Sequence, residues 1–280
     1  MLSYQHAYHA GNFADVVKHL VLVQVLHYLK KKNKPLCCLD THAGSGSYRL
    51  ASGEAQKNLE YLGGIGKLWH REDLPVGIAD YVSLIRHFNP SGQLSQYPGS
   101  PLIVRQLLEN QDRQFLFELH SAEYRQLNEL FKKQKQCKVF HADGLKESLG
   151  LLPPLEHRGA VLIDPSYELK SDYQTVADSL KAMHMRFATG CYMLWYPVVD
   201  RKRNRFMERA LKSTGIKNIQ LYELGVQPDH DGFGMTACGM IVVNPPWTLL
   251  SIMQEALPWL SEILGENQQG YYRIEQLVSE

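Results

Sequence analysis

Apolar positions between residues 12 and 32 recur with the spacing of an α-helix. They form a wide stripe that includes Val16, Leu20, Val23, Leu26 and Leu29. Asn12 can cap the first turn, the lysines at 30–32 suit the negative C-terminal end, and Pro35 follows. The pattern therefore predicts a helix over residues 12–32 that packs against a large apolar surface.

A short apolar run, residues 36–40, follows this helix and ends in Asp40 before the turn that contains Gly44 and Gly46. A strand that ends in an acid and leads into a glycine turn is typical of the start of a doubly wound sheet. The next such strand lies about seventy residues later, whereas a strand-helix-strand unit needs about thirty. We therefore expect an inserted helical subdomain at 48–96 and a main domain formed by 1–47 and 97–280.

Strand-like and helical patterns alternate through the main domain after residue 97. The sequence predicts strands at 114–119, 137–141, 159–163 and 190–196, and helices at 101–110, 122–133, 172–186 and 203–213. Two further strand-like runs, 219–224 and 234–243, have no helix between them. The fold class expected is α/β, a mostly parallel Rossmann-like sheet with an antiparallel edge hairpin.

Ligands of such sheets bind beyond the carboxyl ends of the parallel strands. Candidate residues at these ends are Asp40, Gly44, Glu118, Asp143, Gly144, Asp164 and Tyr167. The glycines allow close approach of the backbone, Glu118 can accept both ribose hydroxyls, and Asp143 can accept from an adenine amino group. Each residue alone also suits an ordinary turn or surface, but their joint occurrence favours a nucleoside ligand.

The glycine turn fits neither of two common phosphate-binding motifs. Gly46 is followed by Ser47, Tyr48 and Arg49, so the third glycine of the dinucleotide fingerprint is absent, and no Gly-Lys-Ser/Thr follows. The remaining common nucleoside cofactor of these sheets is S-adenosylmethionine, which carries no phosphate.

The stretch AVLIDPSYE, residues 160–168, suits methylation of an exocyclic amino group. The lone pair of such a nitrogen is delocalised into the ring. The Asp164 carboxylate and the Pro165 carbonyl can accept its two hydrogens, which favours a pyramidal, reactive nitrogen. Tyr167 is expected to stack on an extruded base.

A second motif, Asn244-Pro245-Pro246-Trp247, matches the usual amino-methyltransferase pattern more closely than residues 164–167 do. If 234–243 is antiparallel, however, its carboxyl end leaves the sheet on the side opposite to the ligand crevice. We therefore expect Asn244 to end a strand and to take no part in the chemistry.

The balance of charge is nearly even, with 30 Lys and Arg against 29 Asp and Glu. Any nucleic-acid affinity must therefore come from local patches. The basic run 201–205 follows the fifth strand beside Trp195 and Tyr196, which suits phosphate contacts near stacking aromatics, although a solvated helix start is the alternative. The lysines at 30–34 and 132–138 are expected to be solvated helix ends.

Cysteine and histidine positions favour neither disulfides nor a metal site. The five cysteines lie mostly in apolar strand-like runs, which predicts buried thiols, and the twelve histidines lack zinc-like spacing. The N-terminal segment resembles no signal peptide and no apolar run is long enough to span a membrane. A cytoplasmic protein without metal or membrane association is expected.

Several segments taken together closely resemble the RlmJ family of 23S rRNA adenine-N6 methyltransferases, along essentially the whole chain. They are MLSYQHAYHAGNFADVVKHL, LDTHAGSGSY, YPGSP, ADG, IDPSYE and GMTACGMIVVNPPW. The resemblance implies a class I S-adenosylmethionine-dependent fold and 23S rRNA as partner. It implies cofactor contacts at His19, His42, Gly44, Ser100, Glu118, Asp143, Gly144 and Asp164, with Asp164 also the proton acceptor, and RNA contacts at Tyr4, His6 and Lys18. A monomer is expected.

Ser166 departs from the family pattern, since amino-methyltransferases of this class usually carry a second proline there. Serine restores a backbone N–H and loosens the turn, which affects the expected rate more than the expected reaction. Two alternatives remain open: a non-catalytic RNA-binding protein that kept the fold, and an adenine-N6 DNA methyltransferase. An insertion of about fifty residues is small for the separate target-reading region that a DNA enzyme of this kind usually needs.

Overall fold

The computed structural model describes residues 6–230 and 234–280. Within these residues, eight strands form one mixed sheet in the order β10-β8-β9-β7-β6-β1-β4-β5, and β2 pairs with β3 separately. The strands are β1 (Cys37–Asp40), β2 (Ser47–Arg49), β3 (Gln96–Pro98), β4 (Arg113–Phe117), β5 (Cys137–Phe140), β6 (Gly159–Ile163), β7 (Cys191–Val198), β8 (Ile219–Gly225), β9 (Ala237–Val243) and β10 (Tyr271–Val278).

Helices cover both faces of the sheet, as the alternating pattern predicts. They are α1 (Phe13–Lys30), α2 (Gly53–Asn58), α3 (Glu60–Gly63), α4 (Ile65–Leu68), α5 (Val76–His87), α6 (Ser100–Leu107), α7 (Ser121–Phe131), α8 (Gly144–Glu147), α9 (Asp172–Arg186), α10 (Arg201–Lys212) and α11 (Leu249–Leu264). No helix within the described ranges combines the length and apolarity that crossing a membrane requires.

The parallel half of the sheet places the candidate residues at one edge. β1 lies between β4 and β6, and both pairings are parallel, as are β4 with β5 and β6 with β7. The carboxyl ends of these strands therefore point the same way. The residues that follow them, including Glu118 and Asp164, converge on one crevice, which confirms the expected placement.

Helix α1 is buried around most of its circumference because it packs against the sheet and against α5, α6 and α11. The Asn12 side chain caps it by accepting from the N–H groups of Ala14 and Asp15, at 3.0 Å each. Burial extends over polar positions as well as apolar ones, and Lys18 and His19 are 4% and 1% exposed. A core helix thus carries polar side chains toward the crevice.

The antiparallel part of the sheet differs in detail from expectation. The hairpin of β8 and β9 is confirmed, but its expected place at the edge is wrong: β9 pairs with both β7 and β8, and β10 adds outside β8. Sequence analysis missed β10 and α11. The run YYRIEQLV in β10 is mostly half-exposed, so it lacks the apolar character that marked the central strands.

The predicted insertion, 48–96, holds α2 to α5. Strands β2 and β3 close it at its base through the pairing of Tyr48 with Tyr97. Side chains of α5 such as Tyr81 and Ile85 join the same buried cluster as the apolar residues of α1. The division of the chain into a main domain and a subdomain remains a prediction.

Candidate active site

A cavity of about 480 Å³ opens at the carboxyl edge of the parallel strands, a size typical of small-molecule sites. It brings together most of the residues expected from sequence. Those that line it are His6, Lys18, His19, His42, Gly44, Ser100, Glu118, Asp143, Gly144, Asp164 and Pro165. Ser166 and Trp195 line it too. Tyr4 lies outside the described residues.

Asp164 occupies the acceptor end of the cavity, directly after β6. Its Oδ2 accepts a hydrogen bond from Lys18 Nζ at 2.6 Å, and Oδ1 has no partner among the described residues. Lys18 Nζ also lies 2.8 Å from Asp15 Oδ1, and His6 Nε2 lies 3.0 Å from Asp15 Oδ2. One ammonium thus holds the Asp164 carboxylate in place and leaves an acceptor oxygen available.

Asp15 was missed in the sequence analysis, although it supports the acceptor end of the site. Burial raises the pKa of its carboxyl, but the charges of His6 and Lys18 outweigh this effect and hold the pKa well below its usual value. The spacing of Asp15 and Lys18, three apart on one helix, was the available signal. This spacing does not show, however, that the side chains of Asp15 and Lys18 are both buried.

Glu118 lies on the other side of the cavity, after β4. Its two oxygens accept hydrogen bonds from Gly44 N–H at 2.8 Å and His120 N–H at 2.6 Å. Burial raises the pKa of this carboxyl. Each oxygen keeps a further lone pair, so the pair can accept two ligand hydroxyl groups at once.

The glycine turn and Gly144 allow the backbone to lie close to the cavity. Gly44 has φ +60°, and a Cβ there would meet the Tyr48 hydroxyl at 2.3 Å. A Cβ on Gly144 would lie 2.2 Å from the Thr41 carbonyl oxygen. Both positions therefore require glycine. At Gly44 the reasons are the backbone conformation and the nearby Tyr48 hydroxyl, and at Gly144 the reason is the nearby Thr41 backbone alone.

Asp40 ends β1 beneath the cavity and ties the first turn to helix α6. Its carboxylate accepts from the Ser100 hydroxyl at 2.6 Å and from His42 N–H at 3.1 Å. Burial raises the pKa of Asp40 to about 6. Burial also lowers the pKa of His42, so this imidazole is neutral at pH 7.

Asp143 and Gly144 line the cavity at the start of α8. Asp143 Oδ1 caps α8 by accepting from Leu145 N–H at 3.1 Å, and Oδ2 lies 2.9 Å from Lys146 Nζ. The carboxylate keeps lone pairs at the cavity wall. Its expected contact with an adenine amino group remains a prediction.

Tyr167 does not face the cavity, which corrects the expected geometry. Its ring is buried against Tyr173 and Trp195, and its hydroxyl donates to the Trp195 carbonyl oxygen at 2.8 Å. The residue has φ +53°, so the turn after Ser166 directs the side chain into the core below the sheet edge. In this conformation Tyr167 supports the Asp164 turn and cannot stack on a base in the cavity.

Asn244 lies where the antiparallel argument placed it. It follows β9 next to the start of β7, and its amide donates to the carbonyl oxygens of Ala188 and Gly190 at 2.8 Å each. Neither Asn244 nor the proline after it lines the cavity. The motif that matched the general pattern better is thus a strand stop in this structure.

The basic run 201–205 divides into two groups. Arg201 is occupied by buried Glu223 at 2.8 Å and by Asp229 at 2.8 Å, so its expected phosphate contact is corrected to a role in stability. Arg203 pairs with Asp200. Lys202 and Arg205 are exposed and have no ion-pair partner among the described residues, so the RNA prediction now rests on these two.

Comparison with known proteins identifies the family of this chain. A model of the ribosomal RNA large subunit methyltransferase family described as RlmJ matches residues 33–278. The chain is 48% identical over its whole length to the proteins named ribosomal RNA large subunit methyltransferase J of Escherichia coli and Haemophilus influenzae, and it covers 100% of each. The chain belongs to the RlmJ family.

A solved structure of another protein supports the fold of this family member. The crystal structure of a Legionella pneumophila protein superposes with a TM-score of 0.88 at 40% sequence identity. The match covers 96% of this chain and 98% of that one. The Rossmann-like α/β fold expected from the strand pattern is therefore confirmed, and membership of the RlmJ family makes it a methyltransferase fold.

Proposed function

We propose that this chain transfers a methyl group from S-adenosylmethionine to N6 of an adenine in 23S rRNA, with the base extruded into the cavity. The observation that carries the proposal is the Asp164 carboxylate, held by Lys18 at 2.6 Å in the cavity that Glu118 and the glycine turn also line. The proposed proton acceptor and the residues suited to hold a nucleoside thus line the same cavity, in a chain of the RlmJ family.

The described residues fit S-adenosylmethionine. Gly44 lines the cavity at a point where a Cβ would collide with the Tyr48 hydroxyl, and Glu118 presents two acceptor oxygens suited to ribose hydroxyls. His19 contributes a buried nitrogen, Nε2, that has no partner among the described residues. When bound, this cofactor supplies an electrophilic methyl group on a positively charged sulfur.

Asp164 and Pro165 prepare the acceptor nitrogen. An adenine amino group is a weak nucleophile because its lone pair is conjugated with the ring. Acceptance of its two N–H groups by Asp164 and the Pro165 carbonyl localises that lone pair on the nitrogen. The product nitrogen keeps one hydrogen, and the other passes as a proton to Asp164, which balances the reaction.

Lys18 positions this acceptor. Its ammonium, 5% exposed at the side chain, orients the Asp164 carboxylate through the hydrogen bond to Oδ2 at 2.6 Å. His6 lies beside it through Asp15, and its ring centroid is 4.9 Å from that of Tyr48. Together with Tyr4, these residues are proposed to meet the RNA.

Recognition of RNA outside the cavity is proposed for α10. Its first turn follows the carboxyl end of β7, whose Trp195 lines the cavity, and Lys202 and Arg205 are exposed at its start. Phosphates adjacent to an extruded nucleotide would be neutralised there.

A methyl-transfer assay tests the proposal. The purified chain is incubated with tritiated S-adenosylmethionine and in-vitro-transcribed 23S rRNA, with equal masses of 16S rRNA and duplex DNA as controls. Label recovered as N6-methyladenosine from 23S rRNA alone is the expected result. Label in DNA would show that the substrate is DNA and contradict the proposal of RNA. Cofactor binding without methyl transfer to any nucleic acid would indicate a binding protein that has lost the reaction, with Ser166 as the residue that marks the loss.

A further inference from the structure

The two ring nitrogens of His19 have different surroundings. Nδ1 lies 2.7 Å from the Tyr97 hydroxyl, whereas Nε2 is buried and has no hydrogen-bond partner among the described residues. His19 lines the cavity and Tyr97 does not. The ring therefore meets the protein through Nδ1 and can meet a ligand through Nε2.

A second tyrosine determines which way the hydrogen bonds run. The Tyr81 hydroxyl lies 2.9 Å from the Tyr97 hydroxyl, and Tyr97 is its hydrogen-bond partner within the described residues. Both phenols are 0% exposed. If Tyr97 donated to Tyr81, the buried Tyr81 proton would have no acceptor, at a cost of about 1–3 kcal/mol. With Tyr81 donating to Tyr97, Tyr97 donates to His19 Nδ1, and both phenol protons and Nδ1 then have a partner.

His19 is neutral in this setting. Burial lowers its pKa to about 3, far below physiological pH. A neutral imidazole carries one proton, and because Nδ1 accepts from Tyr97 that proton must lie on Nε2. The nitrogen available to a ligand is thus an N–H donor.

We infer that Tyr97 is a positioning residue that holds His19 as the Nε2–H tautomer, so that the imidazole is a fixed donor to the carboxylate of the cofactor's amino-acid tail. The tail is assigned by its surroundings. Gly99 and Ser100 line the same cavity and begin α6, whose first turn has no side-chain cap and whose positive end favours an anion. The ligand assignment rests on the proposed function, whereas the tautomer does not.

The inference gives the predicted insertion a part in ligand recognition. Tyr97 belongs to β3, which closes the insertion, and Tyr81 belongs to α5 within it. Removal of the Tyr97 hydroxyl leaves the imidazole free to place its proton on either nitrogen. An Nε2 without a proton would present a lone pair to the carboxylate, which disfavours binding.

Nitrogen-15 NMR of the ligand-free protein with labelled histidine tests the tautomer directly. The His19 signals are identified by their loss in His19→Asn. Wild type is expected to show a protonated Nε2 and an unprotonated Nδ1. Tyr81→Phe should keep this tautomer, because the Tyr97 hydroxyl can still donate its proton to His19 Nδ1. Tyr97→Phe should lose the tautomer, because it removes that donor. A protonated Nδ1 in wild type, or an unchanged tautomer in Tyr97→Phe, would overturn the inference.

Calorimetry then tests the ligand contact, with S-adenosylhomocysteine compared to 5′-methylthioadenosine, which lacks the amino-acid tail. Tyr97→Phe should weaken S-adenosylhomocysteine binding by about tenfold and leave methylthioadenosine binding unchanged. Tyr192→Phe is the matched control, since it removes a buried phenol that bonds Met183 and Phe187 away from the cavity. Equal weakening of both ligands would refute a tail contact. Failure of wild type to bind either ligand would contradict the proposed cofactor and leave the tautomer result standing.

Discussion

Lys18 Nζ lies 2.6 Å from Asp164 Oδ2 and 2.8 Å from Asp15 Oδ1, so one buried ammonium serves two carboxylates. Asp164 belongs to the end of a sheet strand and Asp15 to the first turn of α1. The pairing therefore connects the main core helix to the proposed reaction centre. It gives Lys18 two separable effects, one on stability and one on turnover.

Lys18→Met is expected to lower the free energy of unfolding by about 3–5 kcal/mol, because it leaves buried Asp15 and half-buried Asp164 without their shared cation. Turnover per folded molecule should fall by about a hundredfold, since Asp164 loses its orientation. Urea unfolding and methyl transfer measure the two effects.

Lys30→Met is the matched control. Lys30 pairs with fully buried Asp112 at 2.6 Å, outside the cavity. It should show the loss of stability without the loss of turnover. Equal loss of turnover in both variants would contradict a positioning role for Lys18.

Gly44→Ala is expected to weaken binding of S-adenosylhomocysteine and to destabilise the fold. The added Cβ would meet the Tyr48 hydroxyl at 2.3 Å, and φ is +60°. Gly215→Ala is the matched control, since φ is +82° there and no atom lies within 4 Å of the added Cβ. It should lower the free energy of unfolding only through the strained backbone conformation, by about 1–2 kcal/mol. Calorimetry should find binding unchanged in Gly215→Ala. Unchanged binding of S-adenosylhomocysteine by Gly44→Ala would show that the glycine turn is not part of the cofactor site.

His19 should make stability fall as the solution is acidified. Its pKa is about 3 in the folded protein and near 6.5 when unfolded, so between these values the unfolded chain binds a proton that the folded chain does not. The free energy of unfolding therefore decreases as pH falls from about 6.5, by up to about 1.4 kcal/mol per pH unit. Asp40, with its pKa raised to about 6, acts in the opposite direction.

Comparison with His19→Gln isolates the histidine because Asp40 is present in both proteins. The variant should lose stability less steeply than wild type when urea unfolding is followed from about pH 7 to about pH 4.5. Parallel curves would show that His19 is not buried as a neutral group.

Lys202→Ala and Arg205→Ala are expected to weaken RNA binding without a change in stability. If each side chain contacts one phosphate, the slope of log affinity against log salt should decrease by about 0.7 per variant on single-stranded RNA. Lys32→Ala and Lys34→Ala are the matched controls, since these exposed lysines follow α1 at the opposite edge of the sheet. Equal salt slopes in all four variants would exclude α10 from the RNA interface.

Sequence patterns predicted the parallel core well because burial there imposes periodicity. The prediction for α9, residues 172–186, agrees with its observed bounds. Strand β10 was missed because an outer strand whose residues are mostly half-exposed is less apolar than a buried one. Periodicity also placed Asp164 and Glu118 at the right edge, since strand direction alone fixes that position.

Other features of the site depend on contacts between distant residues. Tyr167 was expected in the cavity, but its left-handed backbone conformation directs it into the core. The Arg201 pair with Glu223 depends on the position of β8 beside β9, which no local pattern specifies. The hydrogen bond of His19 to Tyr97 likewise spans 78 positions in the chain.

Single-turnover methyl transfer to 23S rRNA by Asp164→Asn tests the central claim most directly. Asn244→Ala is the control, because Asn244 lies in the rival motif on the far side of the sheet. With enzyme and cofactor in excess, Asp164→Asn is expected to slow the chemical step by at least about a hundredfold. Asn244→Ala should match wild type per folded molecule. A fast chemical step in Asp164→Asn, or a slow one confined to Asn244→Ala, would contradict the assignment of the reaction to the Asp164 cavity.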